Sequence, residues 1–282
     1  MNDWEIQCDE VSIDYNKCLG SGEYGEVYMG KWRGTIIAIK IFKNLSEEKS
    51  FLIKREFETM TKLHHPNIIQ LLGYVNSPFC LIMEYIDNGN LDDYIYKKNH
   101  SILCKLKIIL EILRGLAYIH ERKPSYVIHR DIKPSNFLIT KNKKVKIADF
   151  GISRLLSTPT LLNSNENLSV MTGNVGTVRY MAPELYDTNN YSTKVDIWSF
   201  GMVMYEILER RKPNICANNV SKFKQNILKG KRPEFIKTPK NLRNIIRLCW
   251  IFDHSKRPKA SELIKFFEIE IQKYNYSWLR FL

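Results

Sequence analysis

The chain has 282 residues, about two domains' worth at roughly 100–200 residues per domain, which is enough to bury a substantial core. Hydrophobic residues make up 44% and charged residues 26%, which excludes wholesale disorder and a long coiled coil. No apolar run approaches the ~20 residues that a membrane helix needs. Basic residues outnumber acidic ones 43 to 30, a net charge of +13. Two readings of that charge stay open: a solvated, Lys-rich surface, or a binder of polyphosphate or nucleic acid. Only the stretch from Lys141 to Lys146 approaches a basic run, which favours the first.

The opening residues, Met1-Asn2-Asp3-Trp4-Glu5, offer neither a basic n-region nor an apolar h-region. The expectation is a chain without a secretory leader, located in the cytoplasm (the host cytoplasm if viral). The six cysteines, Cys8, Cys18, Cys80, Cys104, Cys216 and Cys249, show no C-x-x-C pair and no metal spacing. They read as reduced thiols.

In chain order, the first 86 residues read as strand-rich, with β-branched and aromatic runs at Val27-Tyr28-Met29 and Ile36 to Ile39 bounded by Gly30 and Gly34. One helix is predicted there, Glu47 to Leu63, with Ser46 as its N-cap and Ile53, Met60 and Leu63 at helical spacing. From Leu91 the periodicity is mostly helical. Lys105 to His120 carries apolar residues at 108, 109, 112, 113, 116 and 119, and Val195 to Leu208 is apolar on nearly all sides, the mark of a central helix. Ser157 to Gly176 has no clear period. The chain therefore reads as α+β: a small β-rich lobe, then a larger helical lobe, with a ligand expected between them.

Gly20, Gly22 and Gly25 form G-x-G-x-x-G before Val27. These glycines are either hairpin punctuation or a tip whose backbone N–H groups approach phosphate without Cβ obstruction. A dinucleotide fold requires a helix next, and Glu26 to Gly30 reads as a strand. Lys40 closes the strand from Ile36 and is either a surface cation or one that reaches phosphates. The second role needs an acidic partner, and Glu56 sits among the apolar positions of the following helix, where an unpaired charge would cost several kcal/mol. His129-Arg130-Asp131-Ile132-Lys133-Pro134-Ser135-Asn136 lies on a loop, since Pro134 breaks a helix. Asp149-Phe150-Gly151 ends the strand Val145 to Ala148. Asn136 and Asp149 offer the oxygen ligands that suit Mg²⁺. Asp131 is left to receive a proton from a hydroxyl. His129 reads as a packing residue in preference to a base.

The set G-x-G-x-x-G-x-V, A-I-K, H-R-D-x-K-x-x-N, D-F-G and A-P-E, in this order, resembles the signature of eukaryotic-type protein kinase catalytic domains. The resemblance covers Val11 to Phe267. It implies the bilobal kinase fold, a β-rich N-lobe with one regulatory helix and a larger, mainly helical C-lobe. The implied layout is an N-terminal extension at 1–10, a kinase domain at 11–270 divided near 86/87, and a tail at 271–282.

By that resemblance Leu19, Gly20, Ser21, Gly22, Glu23, Tyr24, Gly25, Glu26 and Val27 cover the phosphates of ATP. Val27, Ala38 and Leu138 enclose the adenine, Met83 matches the gatekeeper, and Glu84 and Ile86 match the hinge. Lys40, held by Glu56, binds the α/β-phosphates. Asp131 is the catalytic base, Lys133 steadies the γ-phosphate, and Asn136 and Asp149 hold Mg²⁺, with Mn²⁺ as the alternative ion. Asp196 resembles the carboxylate that anchors the catalytic loop, and Glu184 and Arg257 the ion pair behind A-P-E. Met60, Leu71, His129 and Phe150 match an apolar spine.

Lys133-Pro134 and the segment Gly176 to Glu184, with Thr177, resemble Ser/Thr kinases. Trp4-Glu5-Ile6 and Gly30-Lys31-Trp32-Arg33-Gly34 resemble the tyrosine-kinase-like group of them. Protein substrates follow, with Tyr or dual specificity, or a catalytically weak scaffold, as alternatives. Ser135 argues against a basic consensus. Specific nucleic-acid binding has no aromatic-basic motif behind it. Arg130 is expected to face a phosphate on the segment Asp149 to Glu184, with Thr172 as first acceptor and Ser169 as second.

Overall fold

The computed structural model describes residues 4–22, 25–42, 53, 56–150, 154–157, 178–186, 191–215 and 219–277. Contacts divide the chain into two units, Met1–Gly89 with Leu138–Ile152, and Asn90–Phe137 with Ser153–Leu282.

The first unit is built on a five-stranded antiparallel sheet of β1 (Val11–Gly22), β2 (Gly25–Trp32), β3 (Thr35–Phe42), β4 (Leu71–Asn76) and β5 (Phe79–Glu84), in the order β1-β2-β3-β5-β4. Side chains alternate along a strand, so Ile37, Ile39 and Ile41 of β3 share one face and Ala38 and Lys40 the other. The register carries this division across the sheet. Ile39 lies opposite Ile82 and Ile41 opposite Cys80, whereas Lys40 lies opposite Val27 and Leu81, and Ala38 opposite Met83. The first face is the core: Ile6, Ile37, Ile39, Val75, Cys80 and Ile82 are all buried, each worth about 1.5–3 kcal/mol for an aliphatic side chain. The second face carries Lys40.

Residues 4–6, set apart by sequence as an extension, add to this sheet. Ile6 N–H donates to Tyr74 O at 2.8 Å, and Tyr74 N–H to Trp4 O at 2.9 Å. The helix α1 is described at residues 53 and 56–60. It ends after Met60, not at Leu63, because Leu63 N–H closes an i−3 turn onto Met60 O at 3.1 Å. Its predicted start, with Ser46, lies outside the described residues. The strands β7 (Phe137–Ile139) and β8 (Val145–Ile147) form a ribbon, and the segment Leu138–Ile152 joins the first unit, although the sequence division near 86/87 placed it in the second. The reason is backbone pairing: Ile69 N–H donates to Ile147 O and Ile147 N–H to Asn67 O, both at 2.9 Å, while Asn67 Nδ2 donates to Val145 O at 2.9 Å.

The second unit is mostly helical, with α2 (Leu91–Lys97), α3 (Ile102–Glu121), α4 (Lys194–Glu209), α5 (Val220–Leu228), α6 (Lys240–Cys249) and α7 (Ala260–Ser277), and a small pair of strands, β6 (Ser125–Ile128) and β9 (Arg154–Ser157). Helix α3 begins three residues before its predicted start because Ser101 accepts from Cys104 N–H at 3.2 Å and caps it. In α4 every residue from Val195 to Glu209 is buried, as expected of a stretch apolar on nearly all sides, and Asp196, Glu206 and Glu209 are buried with it. Among the described residues no helix is long and apolar enough to cross a membrane.

One ion pair ties distant parts of this unit together. The Arg257 side chain, wholly buried, donates through Nη1 to Glu184 Oε1 at 2.5 Å and through Nη2 to Oε2 at 2.9 Å. Its remaining donors reach Ile251 O and Lys194 O, and its guanidinium covers the Trp198 ring at 4.9 Å. Removing the guanidinium takes the bidentate partner from a carboxylate only 11% exposed, so Arg257→Leu should destabilise the protein by about 3–5 kcal/mol in urea unfolding. A loss under about 1 kcal/mol would contradict this account of the pair.

Candidate active site

Within the first unit, Lys40 projects from the second face of β3 and meets two carboxylates. Its Nζ lies 2.7 and 2.9 Å from the two oxygens of Glu56 and 3.0 Å from Asp149 Oδ1. The side chains of Lys40 and Glu56 are 10% and 3% exposed, but that of Asp149 is 42% exposed. Burial alone would lower the Lys40 pKa, but the Asp149 and Glu56 carboxylates outweigh it and hold the ammonium above its ordinary value. Glu56 is raised, chiefly by its own burial, against the pull of Lys40. Two carboxylates against one ammonium leave the cluster one negative charge, at the open Asp149 end. Asp149 itself holds a left-handed backbone, φ +62°, uncommon for a non-glycine.

Around Lys40 the same sheet face is apolar. Ala38 and Met83 are buried there and Val27 half-buried, while Leu138 on β7 and Ile86 after β5 are also half-buried. The Glu84 carboxylate accepts from Lys146 Nζ at 2.5 Å and from Gln70 N–H at 2.8 Å. Leu19, Gly20, Ser21 and Gly22 are exposed at the end of β1. Glu26, on β2, accepts from Tyr28 Oη at 2.7 Å, which pushes the Tyr28 phenol up to about 12. The glycines differ in their reasons. A Cβ on Gly25 would stand 2.1 Å from Ile41 O, so that glycine serves the β2–β3 contact. Among the described residues nothing would lie within 4 Å of a Cβ at Gly20 or Gly22. Glu23 and Tyr24 fall outside the described residues.

The second unit holds the other candidates. A short 3₁₀ turn, Pro134–Asn136, sits within the predicted loop. It aims Asn136 Nδ2 at Asp131 O and Oδ2, both at 2.8 Å, while Lys133 Nζ lies 2.7 Å from the same Oδ2. With the amide nitrogen so engaged, the Asn136 carbonyl oxygen is its acceptor end. Asp131 N–H donates to His129 Nδ1 at 3.3 Å, and His129 is fully buried, which makes it a packing and hydrogen-bonding residue within this unit. Met60, Leu71 and Phe150 are buried in the first unit.

Asp196, at the start of α4, fixes this loop. Its carboxylate accepts the backbone N–H of His129 and of Arg130, both at 2.9 Å, and lies 2.8 Å from His120 Nε2. Together these hold Arg130 at φ +68°. Burial works to raise the Asp196 carboxyl, but the hydrogen bond from His120, with the two histidines' charge and the His129 N–H, outweighs it and keeps the group below its ordinary range. The Arg130 guanidinium donates to the Tyr191 hydroxyl at 2.9 Å. Ser169, Thr172 and Thr177 lie outside the described residues. His120 and Tyr191 were missed by sequence. His120 had a signal, a polar residue at the end of the α3 apolar stripe, whereas Tyr191 had none. Among the described residues no group of three or more His, Cys, Asp or Glu forms a metal cage.

A group whose folded pKa is depressed contributes stability that is present above its unfolded pKa, here about 3.8, and is lost as pH falls through the folded value. Asp196→Asn should therefore be clearly less stable than the parent near neutral pH, and the gap should narrow as pH drops from 5 to 3. A gap that stays constant over that range in denaturant titrations would contradict the assignment.

The family model described as protein tyrosine and serine/threonine kinase matches residues 13–267. Over 274 residues the chain is 35% identical to the serine/threonine-protein kinase VIK of Arabidopsis thaliana, covering 93% of this chain and 61% of that protein. It is 38% identical over 268 residues to the putative serine/threonine-protein kinase/receptor R826 of Acanthamoeba polyphaga mimivirus, covering 93% and 15%. Against human mitogen-activated protein kinase kinase kinase 7 the figures are 33% over 272 residues, covering 94% and 42%. The chain thus spans less than two thirds of the length of each of these relatives.

Proposed function

The chain belongs to the protein tyrosine and serine/threonine kinase family, and from that premise we propose that it transfers the γ-phosphoryl group of ATP to Ser and Thr hydroxyls of protein substrates. The observation that carries this reading is the buried Lys40–Glu56 pair with a half-open Asp149 beside it. The names of the relatives support Ser/Thr over Tyr specificity. A sealed ammonium held by a carboxylate is a positioned point charge for phosphate oxygens. The open space about Gly20 and Gly22 suits phosphate against backbone, and the apolar face of Val27, Ala38, Met83 and Leu138 suits a purine.

Asp149 and Asn136 would hold Mg²⁺ or Mn²⁺. A carboxylate and an amide oxygen without a full protein cage fit an ion that keeps phosphate and water ligands. When bound, the ion neutralises phosphate charge. Asp131 accepts the proton of the acceptor hydroxyl as that oxygen attacks phosphorus. Its carboxylate is oriented for this by Asn136 Nδ2, and Lys133, beside it, steadies the γ-phosphate. The loop carrying these groups is held by Asp196. Free thiols at Cys8, Cys18, Cys80, Cys104 and Cys249 suit a reducing compartment, hence the cytoplasm.

Lys40→Met should leave the protein folded and lower turnover at least ~100-fold, the scale of losing one preorganised charge; turnover near the parent rate would remove Lys40 from the phosphate site. Asp149→Asn should weaken metal-dependent ATP binding far more than adenosine binding, measured by calorimetry. Equal loss of both would indicate damage to the unit instead of loss of a metal ligand.

Regulation follows from Arg130. Its bond to Tyr191 is exchangeable for a stronger charge-assisted bond to a phosphate of about −1.5 to −2 charge. Autophosphorylation at Thr172, then Ser169, should raise activity, with Thr177 in the same regulatory segment. Mass spectrometry after incubation with ATP, and assays of Thr172→Ala with Ser169→Ala, test it; a double variant with full activity and no lag would contradict it.

A further inference from the structure

The second unit contains a cavity of about 350 Å³ that phosphoryl transfer leaves without a role. Its walls are the start of α3, the end of α4, the segment Lys237–Pro239 and Tyr274 of α7. We propose that this cavity binds a small molecule bearing one or more phosphate groups, through Lys105, Arg210 and Lys237.

Charge is the first argument. Three cations and one carboxylate, Glu209, line the cavity, a net of +2. That carboxylate is already engaged: Glu209 Oε1 accepts the backbone N–H groups of Ile236, Lys237 and Thr238 at 3.1, 3.1 and 2.9 Å and the Thr238 hydroxyl at 2.6 Å. Two of the cations are held by neutral groups. Lys105 Nζ donates to Leu208 O at 3.2 Å, and the Arg210 guanidinium donates to Ile95 O and Tyr96 O at 3.1 and 3.0 Å. Backbone carbonyls thus orient two cations, and Glu209, the one carboxylate in the wall, offsets only part of the positive charge. Burial, and then repulsion by Arg210 and Lys237, push the Lys105 ammonium below its ordinary value. An anion in the cavity relieves that repulsion.

Backbone geometry is the second. Arg210 caps α4 in the left-handed region, φ +53°, where glycine is usual, and so its long cationic side chain is kept at a strained position on the cavity wall. Pro239, also on the wall, is the N-cap of the ten-residue helix α6 and supplies no side-chain acceptor. The first-turn N–H groups and the positive end of that helix dipole add to the field there. Size sets the ligand class. About 350 Å³ is at the lower end of small-molecule sites, roughly 300–1,000 Å³.

The test uses the full chain and inorganic pyrophosphate as probe. In calorimetry, the Lys105→Gln/Lys237→Glu double variant should bind pyrophosphate at least about tenfold more weakly than the parent, the scale of losing charged hydrogen bonds, with ATP affinity unchanged. Lys237 is exposed, so Lys237→Glu alone, expected to weaken binding about fivefold, decides the matter if the double variant does not fold. Pyrophosphate should also protect Lys105 and Lys237 from acetylation, as read by mass spectrometry. Absence of pyrophosphate binding, equal binding by parent and variants, or protection confined to Lys40 would overturn the proposal. A Ser-phosphorylated peptide that displaces pyrophosphate and binds more tightly would overturn the small-molecule class. Because ATP affinity is read in parallel, failure here is distinguishable from failure of the kinase reading.

Discussion

A buried ammonium must be neutralised, and the arrangement of the first unit follows from how Lys40 is. Desolvating that charge without partners would cost several kcal/mol, a large share of a typical protein's total stability. Two carboxylates from separate parts of the chain offset it, Glu56 on α1 and Asp149 after β8. Each requirement then propagates. The alternation of β3 must place Lys40 opposite the Ile37–Ile39 core, α1 must turn an acid inward, and Asp149 must adopt φ +62° to present Oδ1 to the ammonium. Strained backbone persists only where its surroundings over-determine it, and here an ion pair supplies the constraint.

The second unit solves the converse problem, a buried anion. Asp196 accepts two backbone N–H groups, and its carboxylate lies 2.8 Å from a histidine Nε2. The two backbone donors hold the loop's shape from fixed positions without competing for its charged side chains, and the histidines add favourable charge. Asp131 and Lys133 are thereby left to pair with each other. Arg257 and Glu184 use the stronger bidentate form where two segments have to be clamped. Charge burial, more than extra apolar area, specifies the local geometry at all three places.

Much of this was legible in the sequence, and the reasons are local. The apolar run from Ile36 predicts a strand that ends in Lys40, and an acid among the apolar positions of a helix predicts an inward pair. Helix α4 was readable for the same reason, since Val195 to Leu208 is apolar on nearly all sides. What was not readable depended on long-range pairing. The attachment of Leu138–Ile152 to the first unit arises from backbone bonds to Asn67 and Ile69, which no side-chain pattern announces. The end of α1 and the start of α3 were set by a closing turn and a serine cap. Tyr191 became the partner of Arg130 through tertiary placement alone, and the cationic cavity joins residues more than a hundred positions apart.

The most direct measurement of the central claim is the fate of the terminal phosphate. The chain is incubated with γ-labelled ATP, Mg²⁺ and a generic protein substrate beside an Asp131→Asn control, and the labelled amino acids are identified after acid hydrolysis. The account predicts phosphoserine and phosphothreonine from the parent and a loss of roughly 100-fold or more in the control, the scale of removing a positioned base. Label transferred equally by the control, or recovered mainly as phosphotyrosine, would contradict it.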